Sequence, residues 1–224
     1  MSDAVLTSRA VTSAPAATLV SVGIEGPAGL LEGLLRSPAA PAGAAVVAHP
    51  HPKHGGTMHT KVVHRAARIL SDRFSLAALR FNFRGVGASA GSYDEGRGET
   101  EDLVAAGDWM RRRQPLGPFV LSGFSFGALC ALHGAPRLAP DVLFLIGLPV
   151  DRWDGAVPAA QPWRVVWVQG DEDEFSPPAK ARAIAETRGW MFLSVPGADH
   201  FFAGKLAEFE AAAGDALEKA LGSA

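Results

Sequence analysis

Cysteine is almost absent from this chain: one residue in 224, Cys130. A lone thiol rules out an intramolecular disulfide framework. Cys130 falls in a helix-like stretch, where a small packed thiol is the expected state. Long apolar runs are missing as well. The longest, Val142–Val150, falls far short of the roughly 20 residues that a bilayer span requires. The first twenty residues place Asp3 and Arg9 among Ser, Thr and Ala without a continuous apolar core, which argues against a secretory signal. Nor is there an excess of either charge sign. Lys and Arg total 21 against 23 Asp and Glu, a formal net charge of −2, so no global field draws in nucleic acid or an anionic membrane. These absences point to a cytoplasmic protein with a small-molecule substrate and neither a nucleic-acid nor a membrane partner. No apolar stripe demands an oligomer, which leaves a monomer and a small homo-oligomer both open.

What is present is an alternation. The 48% apolar content is enough for a sizeable core, and the length suits one domain over 17–224 behind a loose leader at 1–16. Two apolar segments flank Gly26-Pro27, the pattern of an antiparallel hairpin. Short buried-type strands at 44–48, 76–81, 118–122, 142–146, 165–169 and 190–195 then alternate with helical stripes. One stripe runs from Met58 to Leu70; others cover 100–113, 126–134 and the end of the chain from Leu206. Ser176-Pro177 opens one more helix as cap and first-turn proline, and Gly189 closes it. The run Arg111-Arg112-Arg113 reads as a solvated helix end that complements the macrodipole. This order of elements predicts an α/β fold: a mostly parallel sheet with an antiparallel N-terminal hairpin, helices on both faces, and little or no cap. Residues 148–162 are the one candidate cover.

Residues 123–127 read Gly-Phe-Ser-Phe-Gly, between the apolar run 119–121 and a helical stretch. A strand, a pinched turn and a helix give such a match chemical meaning, because the turn holds the hydroxyl of Ser125 above the sheet edge. A serine hydroxyl is a weak nucleophile near neutral pH and needs a base within reach, itself oriented by a third group. Two later strands run into suitable loops. One carries Asp171-Glu172-Asp173-Glu174, the other Ala198-Asp199-His200-Phe201-Phe202. Ser125, an acid near 173 and His200 thus follow the order Ser, Asp, His. Asp173 has the best spacing from Gly170. Asp171 is the second choice, while Glu172 and Glu174 read as solvated. Asp199 adjoins His200, which is poor geometry for orienting its imidazole.

Several motifs together make the chain resemble a small bacterial subfamily of the α/β-hydrolase superfamily, described mostly as predicted hydrolases. They are His49-Pro50-His51-Pro52 with Gly55-Gly56-Thr57-Met58, Arg80-Phe81-Asn82-Phe83-Arg84-Gly85-Val86-Gly87-Ala88-Ser89, the Ser125 turn, and Ala198–Phe202. The resemblance spans residues 44–207. It implies a serine hydrolase with little or no cap, in which Ser125, Asp173 and His200 serve as nucleophile, acid and base. It implies no particular substrate, since fold does not fix substrate. One oxyanion donor is expected from the N–H of Phe126, the residue after the nucleophile. The second is expected from the loop after strand 44–48. Pro50 and Pro52 have no N–H, which leaves His51 first and Lys53 or His54 behind it.

Five histidines (His49, His51, His54, His59, His64) crowd into that region, yet no acidic or Cys partner stands at a familiar ligand spacing, so no metal and no cofactor are expected. His49 is expected to pack at the strand end and the others to line the cleft rim. The glycines of 84–98 lack the strand-to-helix context of a dinucleotide fingerprint and read as a tight loop beside the serine turn. Arg84 is expected to pair with a carboxylate, with a hold on a substrate acid group as the second reading. The chemistry expected is hydrolysis of a small carboxylic ester or thioester through an acyl-enzyme. An amide hydrolase and an idle binding protein on the same scaffold are the rivals. A dehalogenase would need a carboxylate where Ser125 stands.

Overall fold

A computed structural model describes residues 17–152 and 161–222. The expected leader therefore lies outside the described residues, as do residues 153–160 of the expected cover. The elements are β1 (Thr18–Gly26), β2 (Gly29–Ser37), β3 (Gly43–Ala48), α1 (Lys61–Asp72), β4 (Leu76–Phe81), α2 (Arg97–Arg113), β5 (Phe119–Phe124), α3 (Phe126–Leu138), β6 (Val142–Ile146), β7 (Arg164–Gly170), α4 (Pro178–Arg188), β8 (Met191–Val195) and α5 (Leu206–Gly222). Among the described residues eight strands form one sheet in the order β1-β2-β4-β3-β5-β6-β7-β8. The β1–β2 hairpin and the β2–β4 pair are antiparallel; β4 through β8 are parallel. The expected fold class is borne out.

Strand alternation builds a core on each face. Ala44, Val46 and Ala48 of β3 point into one core with Leu103 of α2, Leu132 of α3 and Ala181 of α4. Ala45 and Val47 point into the other, with Val63 of α1 and Phe209 of α5. Because both faces are covered, the central strands are apolar at nearly every position rather than every second one. Their carboxyl ends, and the loops that leave them, remain as the place for a site.

Local outcomes differ from the pattern at three points. Met58 precedes α1 and is held in a turn, its N–H donated to Asn82 Oδ1 (2.9 Å) and its carbonyl accepting from Arg80 (2.6 Å). At the start of α4, Pro177 is the cap residue and Pro178 the first helical residue, so Ser176 does not cap; its buried Oγ has no hydrogen-bond partner among the described residues. A second proline in the first-turn slot, where its missing N–H costs nothing, shifts the start by one position. Arg112 and Arg113 are exposed, but Arg111 is only partly so. It donates to the carbonyls of Leu138 and Ala139 at the end of α3 (2.6 and 2.9 Å) and lies over the Phe119 ring. Gly189 ends α4 in the left-handed region (φ 66°), as expected. No helix among the described residues is long and apolar enough to cross a membrane.

Candidate active site

Ser125 sits between β5 and α3 with φ 56° and ψ −117°, a conformation that costs an L-residue about 1–3 kcal/mol. The surrounding structure enforces it. Ser125 N–H is donated to Ile146 O (2.9 Å), and its carbonyl accepts from the N–H of Ala128 (2.8 Å) and Leu129 (3.2 Å). The two flanking glycines are required by space. A Cβ on Gly123 would run into the backbone of Gly127, and one on Gly127 would lie 2.6 Å from the carbonyl oxygens of Ala48 and His49. The turn thus packs directly onto the end of β3, leaving Ser125 partly exposed at the tip.

The loops after β7 and β8 are bound to each other. Glu172 N–H is donated to Ala198 O (3.0 Å), and Gly197 N–H to Asp171 Oδ1 (2.6 Å). Gly170 lacks the Cβ that would meet the backbone of Ala198 and Asp199. This stitching brings His200 over Ser125. His200 Nε2 is 2.8 Å from Ser125 Oγ, and its Nδ1 is 2.7 Å from Asp173 Oδ2. Asp173 is buried, and its Oδ1 accepts the Phe175 N–H (2.8 Å) while Oδ2 also accepts from Gln169 Nε2. Asp171 is occupied by Gly197, and Asp199 accepts the Ala203 N–H (2.8 Å), so neither reaches the imidazole. Glu174 lies against the backbone of His200 rather than its ring (3.4 Å). Phe124, Phe175 and Phe201 surround that ring, with centroids 4.8–5.2 Å away.

No model of a known protein family matches the chain. Individual relatives do. An uncharacterised protein of Rickettsia prowazekii is 35% identical over 206 residues, 86% of each chain. A lid-less α/β serine hydrolase of Xanthomonas campestris superimposes with a TM-score of 0.84 at 36% identity, covering 92% of this chain and 96% of that one. An α/β serine hydrolase homologue of Coxiella burnetii does so with a TM-score of 0.81, also at 36% identity, covering 88% and 96%. The chain belongs to the α/β serine hydrolases.

In this hydrolase the loop after β3 packs beside the Ser125 turn, where Gly127 meets the carbonyls of Ala48 and His49. Two of its three candidate N–H donors are engaged: Lys53 N–H with His51 Nδ1 (3.2 Å) and His54 N–H with His51 O (3.0 Å). Since His51 Nδ1 accepts, its proton sits on Nε2, which is 3.1 Å from Tyr93 Oη. Burial, then the charges of His54 and Lys53, push the His51 pKa down, which agrees with that neutral form. The His51 ring packs against Phe126 (4.9 Å) and Tyr93 (5.2 Å).

The remaining sequence candidates separate cleanly. His49 is buried, accepting the Phe83 N–H at Nε2 (3.0 Å) and donating from Nδ1 to Pro50 O (2.7 Å). His64 lies on the exposed side of α1. No three His, Cys, Asp or Glu side chains gather to hold a metal among the described residues. Arg84 forms a two-pronged pair with Asp102 (2.7 and 2.9 Å), and the 84–98 glycines let that loop turn beside Phe126. Cys130 is buried, and burial pushes its thiol pKa up. Two residues at the site escape motif reasoning. Tyr93 is the chain's one tyrosine, within a glycine-rich loop. Gln169 is a fully buried amide directly after the apolar run Val165–Val168 of β7, and that polarity is the signal that marks it.

Proposed function

We propose that the protein hydrolyses small carboxylic esters or thioesters, with Ser125 as nucleophile, His200 as general base and acid, and Asp173 orienting the imidazole. One observation carries this reading: an unbroken hydrogen-bonded chain from Asp173 through His200 to a partly exposed Ser125 Oγ on a strained turn. His200 Nε2 takes the hydroxyl proton as Oγ attacks the acyl carbon. The N–H groups of Phe126 and His51 receive the developing oxyanion; the engagement of Lys53 and His54 N–H within their own turn favours His51 for the second place. His200 then protonates the departing alcohol or thiol. The leaving group therefore lies beside the imidazole, where Phe175 and Phe201, each about half exposed (53% and 51%), present apolar rings. Water, activated by the same imidazole, releases the acyl group and restores Ser125.

The test compares p-nitrophenyl acetate and butyrate with the matching anilides, for the wild type and Ser125→Ala. The reading requires ester turnover that exceeds anilide turnover and vanishes in the variant. Faster cleavage of anilides would make this an amide hydrolase, and turnover that persists without the Ser125 hydroxyl would remove the nucleophile assignment.

A further inference from the structure

Behind Asp173 lies a second polar pair that the reaction scheme does not use. Trp167 and Gln169 are two residues apart on β7, so their side chains share one face of the sheet, and both are fully buried. Trp167 Nε1–H is donated to Gln169 Oε1 (2.9 Å). An indole N–H only donates, so it settles which end of the amide is which: the oxygen faces Trp167 and the NH₂ faces Asp173. The Gln169 NH₂ is donated to Asp173 Oδ2, the same oxygen that pairs with His200 Nδ1. The rest of the strand from Val165 to Val168 is apolar, and a leucine at 169 would fill that space without needing partners.

We infer that Gln169 is a positioning residue for the proton relay, clamping the Asp173 carboxylate against the imidazole, with Trp167 locking the amide in the orientation that donates. This inference rests on the hydrolase reading above. Among the described residues Asp173 Oδ1 is held by the Phe175 N–H, and the two donors on Oδ2 fix the rotation of the carboxylate about its Cβ–Cγ bond. Without the amide, Oδ2 keeps a single donor. The carboxylate then turns, the imidazole turns with it, and Nε2 leaves the line to Ser125 Oγ. Catalytic rates fall steeply with small displacements of this kind, while Asp173 itself is buried and offers a substrate no surface to bind.

The experiment uses the full chain with Gln169→Leu and Trp167→Phe, followed by circular dichroism, steady-state hydrolysis of p-nitrophenyl butyrate and proton NMR of the low-field His200 Nδ1–H resonance. Gln169→Leu is expected to lower kcat on the order of 10- to 100-fold with KM nearly unchanged, and to shift or broaden the resonance. Trp167→Phe keeps the packing but frees the amide to flip; it should produce the same changes to a smaller degree. A folded Gln169→Leu protein with wild-type kcat and an unmoved resonance overturns the inference, because a purely structural amide would change only the melting temperature. Should Gln169→Leu fail to fold, Trp167→Phe decides alone by the same two readings. A wild type inert toward esters removes the ester-hydrolase reading, and the resonance then decides the clamp without it: displaced in the variants if the inference holds, unmoved if not.

Discussion

His49 and His200 are both buried, 0% and 3% exposed, and both stand at carboxyl ends of the parallel sheet beside the Ser125 turn. Their surroundings make them opposites. The ring nitrogens of His49 meet backbone, an N–H from Phe83 on one and a carbonyl from Pro50 on the other, and its ring packs edge-on against that of Phe83. Burial without a countercharge keeps that ring neutral and lowers its pKa from 6.5 to about 4. His200 meets a carboxylate on one side and a hydroxyl on the other. Burial alone makes a histidine a structural pin; burial against an oriented carboxylate, with a reactive hydroxyl in line, makes it a candidate base.

Removing each ring should break the comparison in different currencies. His200→Ala is expected to lower kcat/KM for p-nitrophenyl butyrate by roughly 10⁴-fold or more while leaving the melting temperature near that of the wild type. The same contrast exists between two buried carboxylates. Asp102 answers to an arginine where Asp173 answers to a histidine, and Asp102→Ala would strand Arg84 with only 12% side-chain exposure. A loss of about 3–5 kcal/mol in urea unfolding is expected from that change.

His49 should reveal itself through pH. Its folded-state pKa lies below the unfolded value, so the unfolded chain binds the proton first. The stability it contributes is complete above pH 6.5 and is lost as pH falls through 6.5 towards 4, on the order of 3 kcal/mol in all. Unfolding free energies measured across that window should slope less steeply in His49→Gln than in the wild type. The smallest effect belongs to the exposed rim: Phe201→Ala should raise KM for aryl esters about two- to fivefold with little change in kcat, a split that steady-state kinetics reads directly.

Much of this arrangement was legible in the sequence because local chemistry wrote it there. The glycines at 123 and 127 mark a turn that no Cβ can enter, and the acid and histidine loops each follow an apolar strand, so chain order alone brings Ser125, Asp173 and His200 forward as one set. The choice among Asp171, Asp173 and Asp199 was only partly legible. It depends on which carboxylate the stitched β7 and β8 loops bring against the His200 ring, and that is a matter of contacts between distant segments. The strand order β2-β4-β3-β5 is long-range pairing that no local pattern encodes. Gln169 was hidden because a strand position reveals its polarity but not the tryptophan and carboxylate it joins. The start of α4 slipped by one residue because two adjacent prolines compete for the same first turn.

The central claim is that the Ser125 hydroxyl is activated by the His200 imidazole, and a fluorophosphonate probe tests it most directly. Mass spectrometry of the digested wild type should find one adduct, on the peptide that carries Ser125, and labelling should disappear in Ser125→Ala and slow by orders of magnitude in His200→Ala. A folded wild type that stays unlabelled, or an adduct that forms equally fast without His200, would contradict the account.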